Sequence, residues 1–321
     1  MYRLGSLHDW TGRDTKINDE YIFQRIRLLN MDIKQSIVNY GDNDYALLGF
    51  CSDEGIKRNQ GRIGAAEGAK AFRRFFAKMP AFADVSSYYD AGDVVCVDGN
   101  LELAQKELAE KVLQILSLRL KPIIIGGGHE TAWGHFLGIE RFFDKNSNSA
   151  ILNFDSHFDL RAPVEGLSTS GTSFYQISEY LKKRGSAFNY YCAGIQRCAN
   201  TQNLFDYADT HSVQYILAEQ INNNPTNLDF VKQVIEKHDH IYISICLDVF
   251  SASIAPGVSA PQALGIYPNY VIQALKILKQ SDKVISLDIV ELSPLYDINQ
   301  LTVKLAACLI FEYLGASNSK C

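Results

Sequence analysis

The chain has 321 residues, of which 47% are hydrophobic and 21% are charged, as is usual for a globular protein with a large core. Its net charge of −5 offers no electrostatic basis for binding nucleic acid or an anionic membrane. No apolar run approaches the ~18 residues of a membrane span, and the opening segment MYRLGSLHDW lacks the apolar stretch of a signal peptide.

Seven β-rich runs alternate along the chain with segments of helical period. Strands are predicted at residues 45–50, 121–126, 150–155, 188–195, 213–218, 240–248 and 283–289. Helices are predicted at 100–120, 267–280 and 298–314, and KAFRRFFAK at 70–78 spaces its cations as on the solvent side of an amphipathic helix. Several strands are apolar throughout, which favours a parallel sheet covered on both faces. We expect one α/β domain over residues 1–321, with right-handed crossovers.

The cysteines suggest where the protein works. They are seven in number, scattered, and without a CxxC pair. This usage is typical of a reducing compartment and argues against a disulfide framework or a zinc knuckle. We therefore expect a cytoplasmic protein with a small-molecule substrate.

The stretch NFDSHFDLR, residues 153–161, follows an apolar strand directly. If the segment stays extended, Asp155, His157 and Asp159 share one face, because side chains two residues apart point the same way. Two carboxylates side by side repel each other unless a positive charge lies between them. The pattern therefore indicates a divalent cation.

Three further strand ends carry groups of the same kind. His129 follows the strand at 121–126, Asp248 ends the strand at 240–248, and Glu291 follows the strand at 283–289. Ligands of parallel sheets gather at the carboxyl ends of the strands. Imidazole and carboxylate ligands without a cysteine pair suit a hard or borderline ion such as Mn²⁺, and their number favours two ions.

A calcineurin-like phosphoesterase also uses a DxH stretch and a GNH[DE] stretch. In that class DxH comes first along the chain, whereas here His129 precedes Asp155. Nothing like GDxxD lies between them, so the order of motifs counts against this alternative.

Four stretches, GGGHE, DSHFD, SICLDVF and SLDIVELSP, resemble in sequence and in order the signatures of the ureohydrolases, the arginase and agmatinase superfamily with a binuclear manganese site. SDEGIKRNQGRIGAAEGAKAFR and APGVSAPQALGI look specifically like the formimidoylglutamases of histidine breakdown. The resemblance implies a three-layer arginase-like fold, with a central, mostly parallel sheet flanked by helices. It also implies a homo-oligomer, a trimer or a hexamer.

The resemblance assigns metal ligands by position. One Mn²⁺ would be held by His129, Asp155 and Asp159, and the other by Asp155, His157 and Asp248. In the family an aspartate that bridges both ions stands where this chain has Cys246. A thiolate is a soft ligand that suits Mn²⁺ poorly, so we expect the second ion to be lost first on dialysis.

Two residues are expected to carry the chemistry. Glu291 matches the family glutamate that pairs with the cationic nitrogens of the substrate, and Asp159 is well placed to pass a proton to the leaving amine. Arginases present a histidine near this site, but the corresponding stretch STSGTSF offers Ser170 instead. That difference argues against arginase itself.

Substrate choice depends on cations, because formimidoylglutamate carries two carboxylates. Arg161 lies two residues beyond Asp159, and the segment KRNQGR brings Arg58, Asn59 and Arg62 on another strand-end loop. Arginine suits carboxylates through its planar, bidentate guanidinium. These four residues are the expected substrate-binding set.

The expected function is Mn²⁺-dependent hydrolysis of N-formimidoyl-L-glutamate to L-glutamate and formamide. One alternative is a guanidino-acid or agmatine hydrolase that releases urea. Another is a non-catalytic or redox-gated relative that has lost one metal. The gate would need Cys51, at the end of the strand 45–50, to come within disulfide range of Cys246, with the Cα atoms less than ~7 Å apart.

Overall fold

A computed structural model describes residues 1–13, 17–33, 44–82, 87–143 and 147–315. One sheet of ten strands runs through it. The strands are β1 (Tyr2–Arg3), β2 (Ile26–Leu28), β3 (Tyr45–Cys51), β4 (Tyr88–Val95), β5 (Lys121–Ile125), β6 (Ser149–Phe154), β7 (Tyr190–Ile195), β8 (Gln214–Leu217), β9 (His240–Cys246) and β10 (Val284–Val290).

Ten α-helices accompany the sheet in the described part of the chain. They are α1 (Glu54–Arg58), α2 (Gly68–Phe76), α3 (Leu101–Ser117), α4 (Thr131–Phe142), α5 (Ser173–Arg184), α6 (Gln202–Thr210), α7 (Ala218–Asn223), α8 (Asp229–Lys237), α9 (Pro268–Gln280) and α10 (Leu301–Gly315). None of the helices described is long and apolar enough to cross a membrane.

Two apolar cores, one on each face of the sheet, make the three layers. Buried side chains of α3, α4, α5 and α6 pack on one face, and those of α2, α7, α8, α9 and α10 pack on the other. Because both faces are covered, strands such as β5 are apolar and buried after their first residue, here Lys121. The predicted three-layer α/β fold is confirmed.

The strand order sets the place of the functional site. It reads β1-β4-β3-β5-β10-β9-β6-β7-β8, with β2 also paired to β4, and every pairing except β1 with β4 is parallel. The four strands whose ends carry the predicted ligands, β5, β10, β9 and β6, are therefore consecutive in the sheet. Their carboxyl ends form one continuous edge.

All seven predicted strands are present, but the sequence pattern did not predict the short strands β1 and β2 or the longer strand β4. Its sequence, YYDAGDVV, contains Asp90 and Asp93, which an apolar strand pattern excludes. Both carboxylates are paired with Arg73 of α2, whose Nη2 lies 2.9 Å from Asp90 and whose Nη1 lies 2.6 Å from Asp93. The expectation that the cations of 70–78 all face solvent is thus wrong for Arg73, which is buried because these carboxylates need it.

Candidate metal centre

The segment after β6 brings its three predicted ligands together by turning. Residues 155–159 are not extended, and Asp159 has a φ of +49°. The Asp155 carboxylate accepts a hydrogen bond from the backbone N–H of His157 at 2.8 Å, which closes the turn. The prediction of an extended segment with a shared face is therefore wrong, although the three side chains do converge.

His129 lies fully buried between two of these carboxylates. Its Nδ1 atom is 2.9 Å from Asp155 Oδ2 and 2.9 Å from Asp159 Oδ2. Burial by itself lowers the pKa of His129, but Asp155 and Asp159 raise it well above its ordinary value. In the protein without metal, this site therefore holds a proton where three ligand atoms converge.

A second convergence shares Asp155. His157 Nδ1 lies 3.1 Å from Asp248 Oδ2 and 3.5 Å from Asp155 Oδ1. Asp155, His157 and Asp248 offer ligand atoms within 4.8 Å of one another. Asp248 Oδ1 is buried and has no hydrogen-bond partner within the described residues. A buried carboxylate oxygen left without a donor is the arrangement that a cation satisfies, so the residues fit a divalent metal.

Cys246 adds its sulfur to the first convergence. The Sγ atom lies within 4.8 Å of ligand atoms of His129 and Asp155. Burial first, and then the carboxylates of Asp155 and Asp248, raise the pKa of this thiol well above its ordinary value. The sulfur therefore lies beside His129 of the first set and beside Asp155, which both sets share.

Cys51 does not open onto this cleft. It ends β3, whereas Cys246 ends β9, and β5 and β10 lie between those two strands. Three strand spacings of ~4.8 Å separate the two residues by about 14 Å, twice the disulfide limit. Both cysteines are free thiols, and the predicted approach of Cys51 to Cys246 is wrong.

Glu291 follows β10 and faces the same edge of the sheet. Its carboxylate accepts backbone hydrogen bonds from His129 at 3.1 Å and from Ser259 at 3.3 Å. A φ of +70° at Glu291 turns the chain so that the side chain points inward. Burial, with a smaller contribution from Asp248, raises the pKa of Glu291 to about 8.

Three residues of the expected substrate-binding region lie together around Gly171. Asn59 Nδ2 donates to Ser170 Oγ at 3.0 Å, and a Cβ placed on Gly171 would meet Arg161 Cδ at 3.3 Å and Asn59 Nδ2 at 3.4 Å. Arg161 is exposed, and its guanidinium makes no ion pair with any side chain that the structure describes. The guanidinium of Arg161, which has no anionic partner among the described side chains, thus lies near the buried hydroxyl of Ser170 and the amide of Asn59.

Arg58 is engaged by protein acceptors instead. Its guanidinium donates to the carboxylates of Glu54 and Glu102 and to the carbonyls of Gly99 and Ser168. All five of its N–H groups are used in this way. The residue holds α1 against α3 and leaves no donor for a substrate carboxylate.

Arg62 is engaged by the loop at residues 256–262. Its Nη2 atom donates to the carbonyls of Pro256 and Val258, and the guanidinium lies 4.3 Å from the ring centre of Tyr296. The same loop donates to Glu291 through the backbone of Ser259. Arg62 therefore supports the loop that orients Glu291, which is a different position from the one expected.

Several residues that contact the proposed metal ligands were not predicted from the sequence. Asn153 Nδ2 donates to Asp155 Oδ2 at 3.1 Å, and Ser244 Oγ lies 2.9 Å from His129 Nε2. Gln262 Nε2 lies 3.3 Å from His157 Nε2. The alternation of β9 could have identified Ser244, because it shares a face with Cys246 two residues later. No local signal marks Gln262, since its approach depends on a loop distant in sequence.

Comparison with known proteins places this geometry in a family. The model of the arginase family matches residues 43–315. The chain is 40% identical to the formimidoylglutamase of Geobacillus thermodenitrificans, over 98% of this chain and 97% of that protein. It is 39% identical to the formimidoylglutamase of Clostridium tetani, over 95% and 93% of the two chains.

A solved structure shows the same fold. The formiminoglutamase of Trypanosoma cruzi with Mn²⁺ superposes with a TM-score of 0.81 and 23% identity, covering 95% of this chain and 100% of that one. The family model spans most of the chain, and the relatives align over nearly all of it. This chain therefore belongs to the arginase family.

Proposed function

We propose that this protein is a Mn²⁺-dependent hydrolase that converts N-formimidoyl-L-glutamate and water to L-glutamate and formamide in histidine degradation. The observation that carries the proposal is the 39–40% identity to proteins named formimidoylglutamase along almost the entire chain. The convergence of His129, Asp155, His157 and Asp248 at one sheet edge supports it.

The proposed metal assignment uses two ions per subunit. His129, Asp155 and Asp159 would hold one, and Asp155, His157 and Asp248 would hold the other, with Cys246 beside the first set. When bound, the two cations supply a hydroxide nucleophile at neutral pH, because divalent metals lower the pKa of water from 15.7 to near ~7.

In the proposed reaction, Glu291 orients the substrate and Asp159 moves the proton. The backbone N–H groups of His129 and Ser259 hold the Glu291 carboxylate in place, so its free lone pairs can accept from the amidine nitrogens. The water oxygen bonds to the formimidoyl carbon, the bond from that carbon to the glutamate nitrogen breaks, and that nitrogen takes a proton. Asp159 is the proposed carrier of this proton, because its carboxylate lies at the same sheet edge as Glu291, with Oδ2 2.9 Å from His129 Nδ1.

Arg161 is the proposed partner of a substrate carboxylate. Its guanidinium is free of protein anions, and Asn59 and Ser170 beside it offer additional hydrogen bonds. Arg58 has no comparable freedom, because protein oxygens accept from all five of its N–H groups. The Nη2 donors of Arg62 are occupied by the carbonyls of Pro256 and Val258, and its Nε is buried. A site with one available arginine suits an acidic substrate better than agmatine, which is a dication.

The decisive experiment offers four substrates separately to protein reconstituted with Mn²⁺. These are formimidoylglutamate, arginine, agmatine and guanidinobutyrate, with formamide and urea measured as products. We expect formamide from the first and no urea from the others. Urea from any of the last three, without turnover of formimidoylglutamate, would show a ureohydrolase instead.

Two further parts of the proposal concern the cell and the assembly. We propose a cytosolic location, to which the six free cysteines of the described chain are suited. We also propose a trimer or a hexamer, which light scattering of the purified protein measures directly. A monomer at working concentration would refute the assembly and leave the reaction untouched.

A further inference from the structure

A line of buried polar side chains runs from the metal centre into the layer behind it. His129 Nε2 lies 2.9 Å from Ser244 Oγ, which lies 2.6 Å from Asp288 Oδ1. Asp288 Oδ2 lies 2.7 Å from His135 Nδ1. All four side chains are at most 1% exposed. Only His129 belongs to the proposed ligand set, so the other three need a separate explanation.

The direction of each hydrogen bond follows from the number of protons available. A carboxylate accepts and does not donate, so the single hydroxyl proton of Ser244 points to Asp288. The Ser244 oxygen then has only lone pairs for His129, and it accepts the proton of His129 Nε2. His129 therefore donates from Nε2, which leaves Nδ1, the nitrogen that faces Asp155 and Asp159, as the one that would bind the metal ion.

Asp288 and His135, the residues of this line farthest from the metal centre, also have hydrogen-bond partners. Asp288 Oδ2 accepts from His135 Nδ1 and from the Tyr242 hydroxyl. His135 Nε2 lies 2.5 Å from Ser286 Oγ, whose own proton goes to the Pro122 carbonyl at 2.9 Å. His135 Nδ1 faces an acceptor and therefore donates, so two donors hold Oδ2 of the buried Asp288 carboxylate in place.

We propose that Asp288 and His135 are positioning residues that hold His129 in the tautomer required for binding the first metal ion. Two donors hold Oδ2 of Asp288, so Oδ1 is the oxygen that accepts the hydroxyl proton of Ser244. Because that proton is directed to Asp288, the Ser244 oxygen can only accept from His129, and this keeps the ring hydrogen of His129 on Nε2. This inference rests on the proposed metal centre and is independent of the substrate.

The substitution Asp288→Asn tests the direction of the bonds. The amide oxygen of the new asparagine would occupy the position of Oδ2, because His135 and Tyr242 donate to that position. The amide NH₂ would then donate to Ser244. Ser244 would have to give its proton to His129 Nε2, which moves the ring hydrogen to Nδ1. We expect Mn²⁺ affinity of the first ion, measured by chelator competition, to fall about 10- to 100-fold, the usual effect of losing such a partner.

Two variants of His135 separate positioning from packing. An asparagine at this position can place an N–H where Nδ1 stands, whereas leucine cannot, so we expect His135→Asn to recover most of the Mn²⁺ affinity that His135→Leu loses. His238→Leu is the matched control. His238 is also buried and bonded to two polar groups, Tyr191 and Asn148, but it does not touch the line.

Affinity and melting temperature together decide the outcome. If His238→Leu lowers only the melting temperature while Asp288→Asn and His135→Leu also lower Mn²⁺ affinity, the proposal holds. Native Mn²⁺ affinity in Asp288→Asn would overturn it. If Asp288→Asn does not fold, Ser244→Ala replaces it, and unchanged affinity there is equally decisive against the proposal. Wild-type protein that binds no Mn²⁺ would instead refute the metal centre itself.

Discussion

Cys246 lies among carboxylate and imidazole groups that all suit a hard divalent cation, and its sulfur is the exception. The thiol is buried, and its pKa is raised well above the ordinary value, so at neutral pH it is a neutral thiol. A neutral thiol is a poor ligand for Mn²⁺. Of the two proposed ions, one should therefore be held weakly, and activity should require added Mn²⁺.

We predict that Cys246→Asp binds Mn²⁺ more tightly, by at least ~10-fold for the weaker ion, because an anionic oxygen ligand replaces a neutral thiol. Equilibrium dialysis with metal analysis measures the number of ions retained. Cys192→Ala is the control, since Cys192 is also buried in the sheet but belongs to neither convergence of ligands. Equal retention by Cys246→Asp and the wild type would show that position 246 does not contact the ions.

We predict that Arg161→Ala lowers kcat/KM for formimidoylglutamate about 10- to 100-fold, mostly through KM. Loss of one charge-assisted carboxylate contact costs about 1.5–3 kcal/mol. Steady-state kinetics with Mn²⁺ in excess measures the effect. Arg141→Ala serves as a control, because Arg141 is exposed and pairs with Glu110 on the outer helices. An unchanged KM in Arg161→Ala would show that another residue binds the substrate carboxylate.

At the scale of elements, α2 is locked onto β4 by a buried ion network. Arg73 donates to Asp90, to Asp93 and to the Gly92 carbonyl, and the Trp10 indole also donates to Asp90 at 2.7 Å. The network explains how a strand with two aspartates can lie inside the sheet. It also ties the first ten residues to the fold.

We predict that Arg73→Ala lowers the free energy of unfolding by about 3–5 kcal/mol, because it leaves the buried Asp90 carboxylate without a cation and leaves Asp93 with only the exposed Arg3. Urea denaturation followed by circular dichroism measures the change. Arg74→Ala is the neighbouring control. The Arg74 side chain is 58% exposed and paired with Asp9, so its loss should change stability by no more than ~0.5 kcal/mol. Similar effects of the two substitutions would contradict a buried ion pair as the source of stability.

At the scale of the whole molecule, protons and the proposed Mn²⁺ ions would compete for the same groups. The folded protein raises the pKa of Glu291 to about 8 and that of Asp159 to about 6, and it raises the pKa of His129 and His157 well above the ordinary value. A raised pKa stabilises the fold while the group is protonated, and that stability is lost as pH rises through the folded value. The metal-free protein should therefore lose stability toward alkaline pH.

We predict that the melting temperature of metal-free protein falls between about pH 6 and about pH 9, whereas the increase on adding Mn²⁺ grows over the same range. Metal binding needs deprotonated ligands, and binding to the folded state alone stabilises it by about 2.7 kcal/mol at a free metal concentration 100 times Kd. Differential scanning fluorimetry with and without Mn²⁺ makes the comparison. A gain from Mn²⁺ that shrinks with rising pH would exclude the proposed histidine and carboxylate ligands.

The sequence by itself determined what local patterns encode. The apolar period set the seven predicted strands and the α/β class, and the residue types after four of those strands indicated a divalent metal centre. These features are local, because a strand or a helix needs only its own spacing of apolar side chains to be recognised. The ordered motifs added the family, which the match over residues 43–315 supports.

The tertiary structure decided what depends on partners distant in the sequence. The order of strands makes β5, β10, β9 and β6 neighbours, and the same order keeps Cys51 away from Cys246. Arg58 and Arg161 both follow the carboxyl end of a strand, yet Glu54 and Glu102 pair with Arg58, whereas Arg161 has no ion pair with a described side chain. The packing of segments that are distant in the sequence determines which acceptor a side chain contacts. The spacing of residues within one segment does not contain that information.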